Sequence, residues 1–500
     1  VMLIRGLFRV GLGLVAIAIP LSIASVRAQT AAQIPVPVAQ ANSETSSEIC
    51  PTQLADELQA IANRPELQRS RWGISIQTLA IGETLYEQEA QRYFIPASTA
   101  KLLTTAAALH QLGSSFQIRT SVYQANDPDE MVLRVVGQGD PSFTDAELRQ
   151  LAQQIRDRNI THIDRLIGDD QYFQDPILNP NWEWEDVQAG YGAGVNSLIL
   201  NLNTIALTLS PQAVGQPLQL SWSDSAEALR WQVENNSITT AAETPEFLQL
   251  ERELNQPSLR ISGQLQVGGE PEVEAIAIPD PSQYFLRRFQ QILAEAGITV
   301  GQVAVATSPA NGDEQALATV TSAPLSELLI QANRESENLY AEALLRILGA
   351  TPANSTDSTL EAGIATVETT LAELGVDPES YVLADGSGLS RHNLVSPEAL
   401  VQTLRAIAQS AEAEVYRESL AIAGVNGTLQ NRFRETLIQG RLFGKTGTAS
   451  GIVTLSGYLE LPDYQPLVFS ILVNQSDQPV RIIRQAIDEM VLKLAQLRSC

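Results

Sequence analysis

Pro96-Ala97-Ser98-Thr99-Ala100-Lys101-Leu102-Leu103 sets a hydroxyl and an amine three residues apart, at the head of an apolar stretch that runs to Leu112 and stops at Gly113. Proline at the first position and glycine just past the end mark a helix, and residues three apart share a helix face. The spacing therefore predicts that Ser98 and Lys101 are neighbours. A serine hydroxyl is a weak nucleophile until a base takes its proton, and a lysine can be that base once desolvation lowers its pKa. Ala97, Ala100, Leu102 and Leu103 offer the apolar walls. Alone the pattern is weak, because an exposed helix start with a snorkelling lysine reads the same way.

Lysine usage sharpens it. Of 32 basic residues other than histidine only three are lysine, namely Lys101, Lys445 and Lys493. Arginine stays protonated while a buried lysine changes its pKa, so a retained lysine asks for a reason. Lys445 lies in Lys445-Thr446-Gly447-Thr448, at the end of one strand pattern and before another that starts at Ile452. Glycine within a strand often marks a close backbone approach, and the lysine and threonines suit a carboxylate. Between the two lysines stands Ser336-Glu337-Asn338, at the edge of a helical stretch, where a hydroxyl and an amide could face one cleft. By itself that triplet reads sooner as a helix N-cap serine.

Order and placement decide. Ser-x-x-Lys, Ser-x-Asn and Lys-Thr-Gly follow one another on helix, helix edge and strand, a set that resembles the active-serine penicillin-recognising enzymes. The long interval from Ser98 to Ser336 looks like the inserted domains of class C low-molecular-mass penicillin-binding proteins, the penicillin-binding protein 4-like D-alanyl-D-alanine carboxypeptidase/endopeptidases. Gly139-Asp140-Pro141-Ser142, Ala384-Asp385-Gly386-Ser387-Gly388-Leu389-Ser390-Arg391, Ala423-Gly424-Val425 and Gly427-Thr428-Leu429 are similar to signatures of that branch. Glu337 stands where Asp is common, and Asn426 where Asp is frequent.

The resemblance implies a serine carboxypeptidase acting through an acyl-enzyme on Ser98, with Lys101, Ser336, Asn338 and Lys445 catalytic. It implies that Thr446, Gly447 and Thr448 bind the substrate and that the N–H groups of Ser98 and Thr448 form an oxyanion hole. Asp385, Gly386, Ser387 and Gly388 would form a loop shaping the cleft. Peptidoglycan peptides and β-lactams are the implied partners, with no cofactor and no metal. His110, His162 and His392 are scattered without ligand spacing. A β-lactamase is a competing reading, opposed by the missing Glu-x-x-Leu-Asn arrangement after Asn338. A non-catalytic wall-binding sensor is another, opposed by the intact nucleophile and base.

The fold class implied is α+β: a penicillin-binding-protein/β-lactamase-like domain, an antiparallel sheet flanked by helices, with a large β-rich inserted region. Alternating apolar residues at 72–79 and strand-like segments at 452–460 and 466–473, with an amphipathic helix at 478–498, suggest one sheet assembled from both parts of the chain. The chain is expected to be helical through 326–348. The divisions are a signal peptide at 1–28, a linker at 29–49, core parts at 50–113 and 305–500, and the insert at 114–304.

Arg5 and Arg9 precede an apolar run from Leu12 to Ile23, and Val26-Arg27-Ala28 offers a small-residue cleavage site. This predicts export and an extracytoplasmic location, periplasmic or cell-wall associated, with no stable membrane span after cleavage. The net charge of −25 argues against nucleic acid or an anionic membrane surface as partner. Cys50 and Cys500 are the only cysteines. They are candidates for a bridge in an oxidising compartment, provided their Cα atoms approach within about 7 Å. Oligomeric state is left open.

Overall fold

The computed structural model describes residues 48–125, 127, 129–253, 256–307, 316–350 and 358–500. The expected signal peptide and nearly all of the expected linker lie outside these residues. Among the described residues no helix is long and apolar enough to cross a membrane.

Two strands, Ile452–Leu459 and Leu467–Asn474, are buried at every position. Both are rich in apolar and β-branched residues, as suits a strand covered on both faces. They form the middle of a six-stranded sheet. Its order is Ala421–Ile422, Leu442–Ala449, Ile452–Leu459, Leu467–Asn474, Arg71–Thr78 and Thr84–Gln88, antiparallel throughout. The sheet thus draws strands from both parts of the chain, as the placement of the strand-like segments predicts.

Each face carries its own core. Helices Leu54–Ala62 and Val480–Leu494 cover one face. In the second, Ile483, Ala486, Ile487, Met490, Val491 and Leu494 are buried, the three-and-four spacing of an amphipathic stripe. The other face packs against Lys101–Leu112, Leu325–Asn333, Asn338–Gly349, Thr359–Glu373 and Pro397–Ala408. The helical stretch expected over 326–348 is two helices. Ser336 breaks it with φ 69°, a left-handed conformation that no α-helix continues through.

The insert holds three further sheets. A five-stranded mixed sheet runs Thr299–Val305, His162–Asp169, Val132–Gly137, Arg119–Gln124, Ala316–Thr321. Helices Asp145–Arg156 and Pro281–Glu295 share its core. Residue 304 falls near the end of one of these strands, and Ala316–Thr321 still belongs to the same sheet. The two smaller sheets are Glu272–Ala277, Thr204–Ser210, Gln219–Trp222 and Gln232–Thr240, Ser258–Gln266, Phe247–Arg252.

Cys50 and Cys500 form a disulfide with Cα atoms 5.8 Å apart. Beside it Ile49 bridges Leu497, and Lys493 pairs with Glu57 at 2.7 Å. The bond closes a loop of sequence separation 450, so it restricts the unfolded chain strongly. Replacing both cysteines by serine is expected to lower stability by about 2–4 kcal/mol. The check is a lower denaturant midpoint with β-lactam reactivity unchanged under native conditions, since neither cysteine approaches the cleft residues described below.

Candidate active site

Ser98 lies in a short 3-10 turn, Ala97–Ala100, that precedes the helix Lys101–Leu112. The helix expected from Pro96 thus opens as 3-10 geometry. There, residues three apart eclipse each other, which sets Lys101 directly over Ser98. Ala97 has φ 47°, in the left-handed region that disfavours a residue with a Cβ. The surroundings hold this turn in place. Asn474 accepts from the N–H of Ile95 at 2.8 Å and donates to its carbonyl at 3.0 Å. Thr454 donates to the Pro96 carbonyl at 3.0 Å.

Lys101 is fully buried. Its Nζ donates to Ser98 Oγ at 3.1 Å, to Asn338 Oδ1 at 2.6 Å and to the Ser387 carbonyl at 2.8 Å. Burial pushes its pKa down to about 8, against the opposing charges of Asp385, Glu342 and Glu337. The amide of Asn338 is oriented by a second bond, Nδ2 to the Tyr191 carbonyl at 2.8 Å, which only an N–H can make. Its oxygen therefore faces the lysine.

The loop expected to shape the cleft lies beneath the lysine, with Asp385 and Ser387 fully buried. Asp385 accepts from the N–H groups of Gly388 at 2.8 Å and Ser390 at 2.6 Å, from Asn393 Nδ2 at 2.6 Å and from Trp182 Nε1 at 2.9 Å. Glu342 accepts from the N–H groups of Gly386 and Ser387, each at 2.9 Å. Its other oxygen accepts from Arg346 at 3.1 Å, both side chains being inaccessible. Burial and the Asp385 charge raise the Glu342 pKa. Its carboxylate is thus committed to holding this loop.

Lys445 is also fully buried, on the strand Leu442–Ala449. It donates to Ser336 Oγ at 2.7 Å and to the Thr446 carbonyl at 2.9 Å. Burial, and the Lys101 charge, push its pKa well down. The left-handed turn at Ser336 is what presents the hydroxyl to this lysine. Glu337, not Ser336, is the N-cap of the helix Asn338–Gly349. On one side the 442–449 strand pairs along its length with Ile452–Leu459. On the other it pairs only at Phe443 and Gly444, so among the described residues no strand lies along that edge from Lys445 to Ala449. Gly447 is needed there: a Cβ would lie 2.8 Å from the Pro96 carbonyl and 3.0 Å from Ser98 N. Thr446 and Thr448 flank it on the same strand.

All three motifs thus converge, Ser98, Lys101 and Asn338 in one hydrogen-bonded group and Ser336 with Lys445 in another. Sequence reading missed three supports: Trp182 under the loop, the Tyr191 carbonyl, and Asn474 with Thr454 behind the nucleophile. Trp182 is buried and Trp231 lies in the insert core, whereas Trp184 is exposed. Asn426 caps a turn by accepting from the Ile422 N–H at 2.9 Å.

A family model described as the D-Ala-D-Ala carboxypeptidase 3 (S13) family matches residues 54–494. A D-alanyl-D-alanine carboxypeptidase of an Actinomadura species is 32% identical over 463 residues, covering 89% of this chain and 85% of the relative. A penicillin-sensitive carboxypeptidase A of Dictyostelium discoideum is 28% identical over 459 residues, covering 85% and 87%. In fold, the crystal structure of penicillin binding protein 4 from Haemophilus influenzae is similar, with a TM-score of 0.75 at 24% identity, over 87% of this chain and 98% of that one. With the family match running from the first core helix to the last, this chain belongs to the D-Ala-D-Ala carboxypeptidase 3 (S13) family and is a serine-type D-Ala-D-Ala carboxypeptidase.

Proposed function

We propose that the chain removes the terminal D-alanine of peptidoglycan peptides through an acyl-enzyme on Ser98, with Lys101 as the base, and that β-lactams acylate the same oxygen. One observation carries this reading: the three partners of Lys101. As an ammonium the lysine spends its three N–H donors on Ser98, Asn338 and Ser387. Two of those partners, a side-chain amide oxygen and a peptide carbonyl, can only accept. When the lysine is neutral its two remaining N–H groups stay on them and its lone pair points at Ser98, the one partner with a proton to give.

The chemistry follows in two steps. Lys101 takes the Ser98 proton as Oγ attacks the carbonyl carbon of the penultimate D-alanine. The N–H groups of Ser98 and Thr448 hold the oxyanion, at about 3 to 4 kcal/mol per donor in comparable sites. A proton reaches the departing D-alanine amine through Ser336, held by Lys445, and the C–N bond breaks. Water then attacks the acyl carbon and regenerates the Ser98 hydroxyl. Asn338 also orients the peptide, while Lys445, Thr446 and Thr448 bind the terminal carboxylate beside Gly447. The open edge of the 442–449 strand suits an extended substrate backbone. The same serine would open D-alanyl cross-links, and the substrate implies an extracytoplasmic location.

The test is the intact mass after brief exposure to benzylpenicillin, followed by tryptic mapping. A single stable adduct on the peptide 93–101 is expected, together with D-alanine release from a D-Ala-D-Ala peptide. Rapid loss of drug without adduct would replace this reading with a β-lactamase. Neither adduct nor drug loss in folded protein would make the chain a non-catalytic binder.

A further inference from the structure

Asn338 is held from outside the core. The carbonyl that fixes its amide belongs to Tyr191, in a compact turn made of two successive 3-10 pieces, Asp186–Gln188 and Gly190–Gly192. Pieces this short have poor internal hydrogen bonding and depend on their neighbours for position. Two sheets of the insert supply it. On one side Ala189 bridges Ile276 in the strand Glu272–Ala277. The backbone there is close enough that a Cβ on Gly190 would lie 2.6 Å from the Ala275 Cβ.

On the other side stands Arg252, at the end of the strand Phe247–Arg252 and only 5% exposed. Its Nη2 donates to the Val187 carbonyl at 2.8 Å, and its Nη1 to the Glu253 carbonyl at 3.2 Å. Its backbone N–H donates to Gln188 Oε1 at 2.8 Å. Gln188 in turn donates through Nε2 to the Trp184 carbonyl at 3.2 Å. Burying a guanidinium is costly, and an apolar side chain would often serve stability as well. The geometry gives this one a positional use instead: its Nη2 ends on the Val187 carbonyl, and the backbone N–H of the same residue ends on Gln188, the next residue of the turn that reaches Asn338.

We infer that Arg252 is a positioning residue for acyl transfer: it fixes the 186–192 turn, the turn fixes Asn338, and Asn338 fixes Lys101 against Ser98. The small sheet of the insert thereby takes part in setting the geometry of the base. This rests on the assignment of Lys101 as the base for Ser98. It gives the insert a role in the chemical step, exerted through the peptide carbonyl of Tyr191.

The experiment measures the rate of Ser98 acylation by benzylpenicillin across pH 6 to 9 in Arg252→Ala, Arg252→Lys and Gln188→Ala. Arg252→Ala is expected to be about 10- to 100-fold slower, the range for a small misplacement caused from outside the reacting groups. Gln188→Ala should move in the same direction. The rising limb of the profile should shift to lower pH, because losing the Asn338 acceptor disfavours the ammonium of Lys101. Arg252→Lys keeps a donor for the Val187 carbonyl and should recover most of the rate. In an Asn338→Ala background, followed over hours, Arg252→Ala should have no further effect, the mark of action through that residue.

Wild-type rate and pH limb in both Arg252→Ala and Gln188→Ala would overturn the inference. An equal slowing by Arg252→Ala in the Asn338→Ala background would overturn it too, showing that the arginine acts elsewhere. If Arg252→Ala does not fold, Gln188→Ala decides alone. Absence of any Ser98 adduct in the wild type would instead remove the underlying reading of the site.

Discussion

Lys101→Ala is expected to lose acylation of Ser98 at neutral pH by at least about 10³-fold, within the usual range for removing a positioned general base. Lys101→Arg should be no better, although it keeps a positive charge, because a guanidinium stays protonated at these pH values. The pair of variants separates a base from a mere charge. In the wild type the rate should climb roughly tenfold per pH unit below about 8 and level off above it, following the neutral fraction of a lysine whose pKa burial pushes down to about 8. At its ordinary 10.5 only roughly one lysine in three thousand would be neutral at pH 7, and at about 8 roughly one in ten. Burial therefore raises the working population of base by a factor of about 300. Stopped-flow acylation by benzylpenicillin across pH 6 to 9 checks both points. A limb that persists unchanged in Lys101→Ala would assign it to another group. A full acylation rate in that variant would remove the lysine from the mechanism.

The same burial explains why the lysine could be found from sequence. In a chain whose cations are nearly all arginine, a site that needs a neutral amine near pH 7 cannot use arginine, so Lys101 stands out where Arg346 and Arg252 do not. The two-sided strands at 452–459 and 467–474 were legible for a similar reason, since complete burial writes itself into apolar content. The stripe on Val480–Leu494 was legible through its period. These are local signals.

The supports of the site are not local, and sequence reading did not reach them. Trp182 meets Asp385 across 203 positions, Asn474 meets Ile95 across 379, and Asn338 meets Tyr191 across 147. Nothing in the residues around Tyr191 marks its carbonyl as the anchor of an amide, because a main-chain oxygen carries no sequence identity. Ser336 shows the limit most clearly. The apolar spacing on either side of it is helical, and the spacing continues as though the helix did. The break places the Ser336 hydroxyl against Lys445, at 2.7 Å, a partner 109 residues away that the local spacing does not reveal. Glu342 shows the converse case, a carboxylate in a suggestive place whose bonds to Gly386 and Ser387 make it the floor of the site.

Gly388→Ala is the substitution expected to damage catalysis most without touching a reacting group. Gly388 has φ 80°, where any Cβ is strained, and a Cβ built on it would lie 1.9 Å from the Ala97 carbonyl oxygen and 3.1 Å from the Ala100 Cβ. The clash is with backbone, so no side-chain rotation relieves it. The nucleophile turn has nowhere to retreat. Behind it stands Gly447, whose own hypothetical Cβ would already crowd the Pro96 carbonyl and Ser98 N, and Thr454 and Asn474 pin Pro96 and Ile95. Ala97 sits between the two glycines in its left-handed conformation, at φ 47°. The turn is thus clamped on both sides, and an added methyl must either move the 385–390 loop or move Ser98. Moving the loop shifts the Ser387 carbonyl off Lys101, and moving the turn shifts Oγ off the lysine and the oxyanion donors. A displacement near 1 Å costs on the order of 10²-fold in rate, so acylation of Gly388→Ala should fall by about that factor. The left-handed backbone adds roughly 1–2 kcal/mol of destabilisation. Acylation kinetics together with thermal melting distinguish the outcomes. A loss of rate in protein that still melts cooperatively is expected, and a wild-type rate would mean that the loop and the nucleophile turn are not held against each other as this geometry requires.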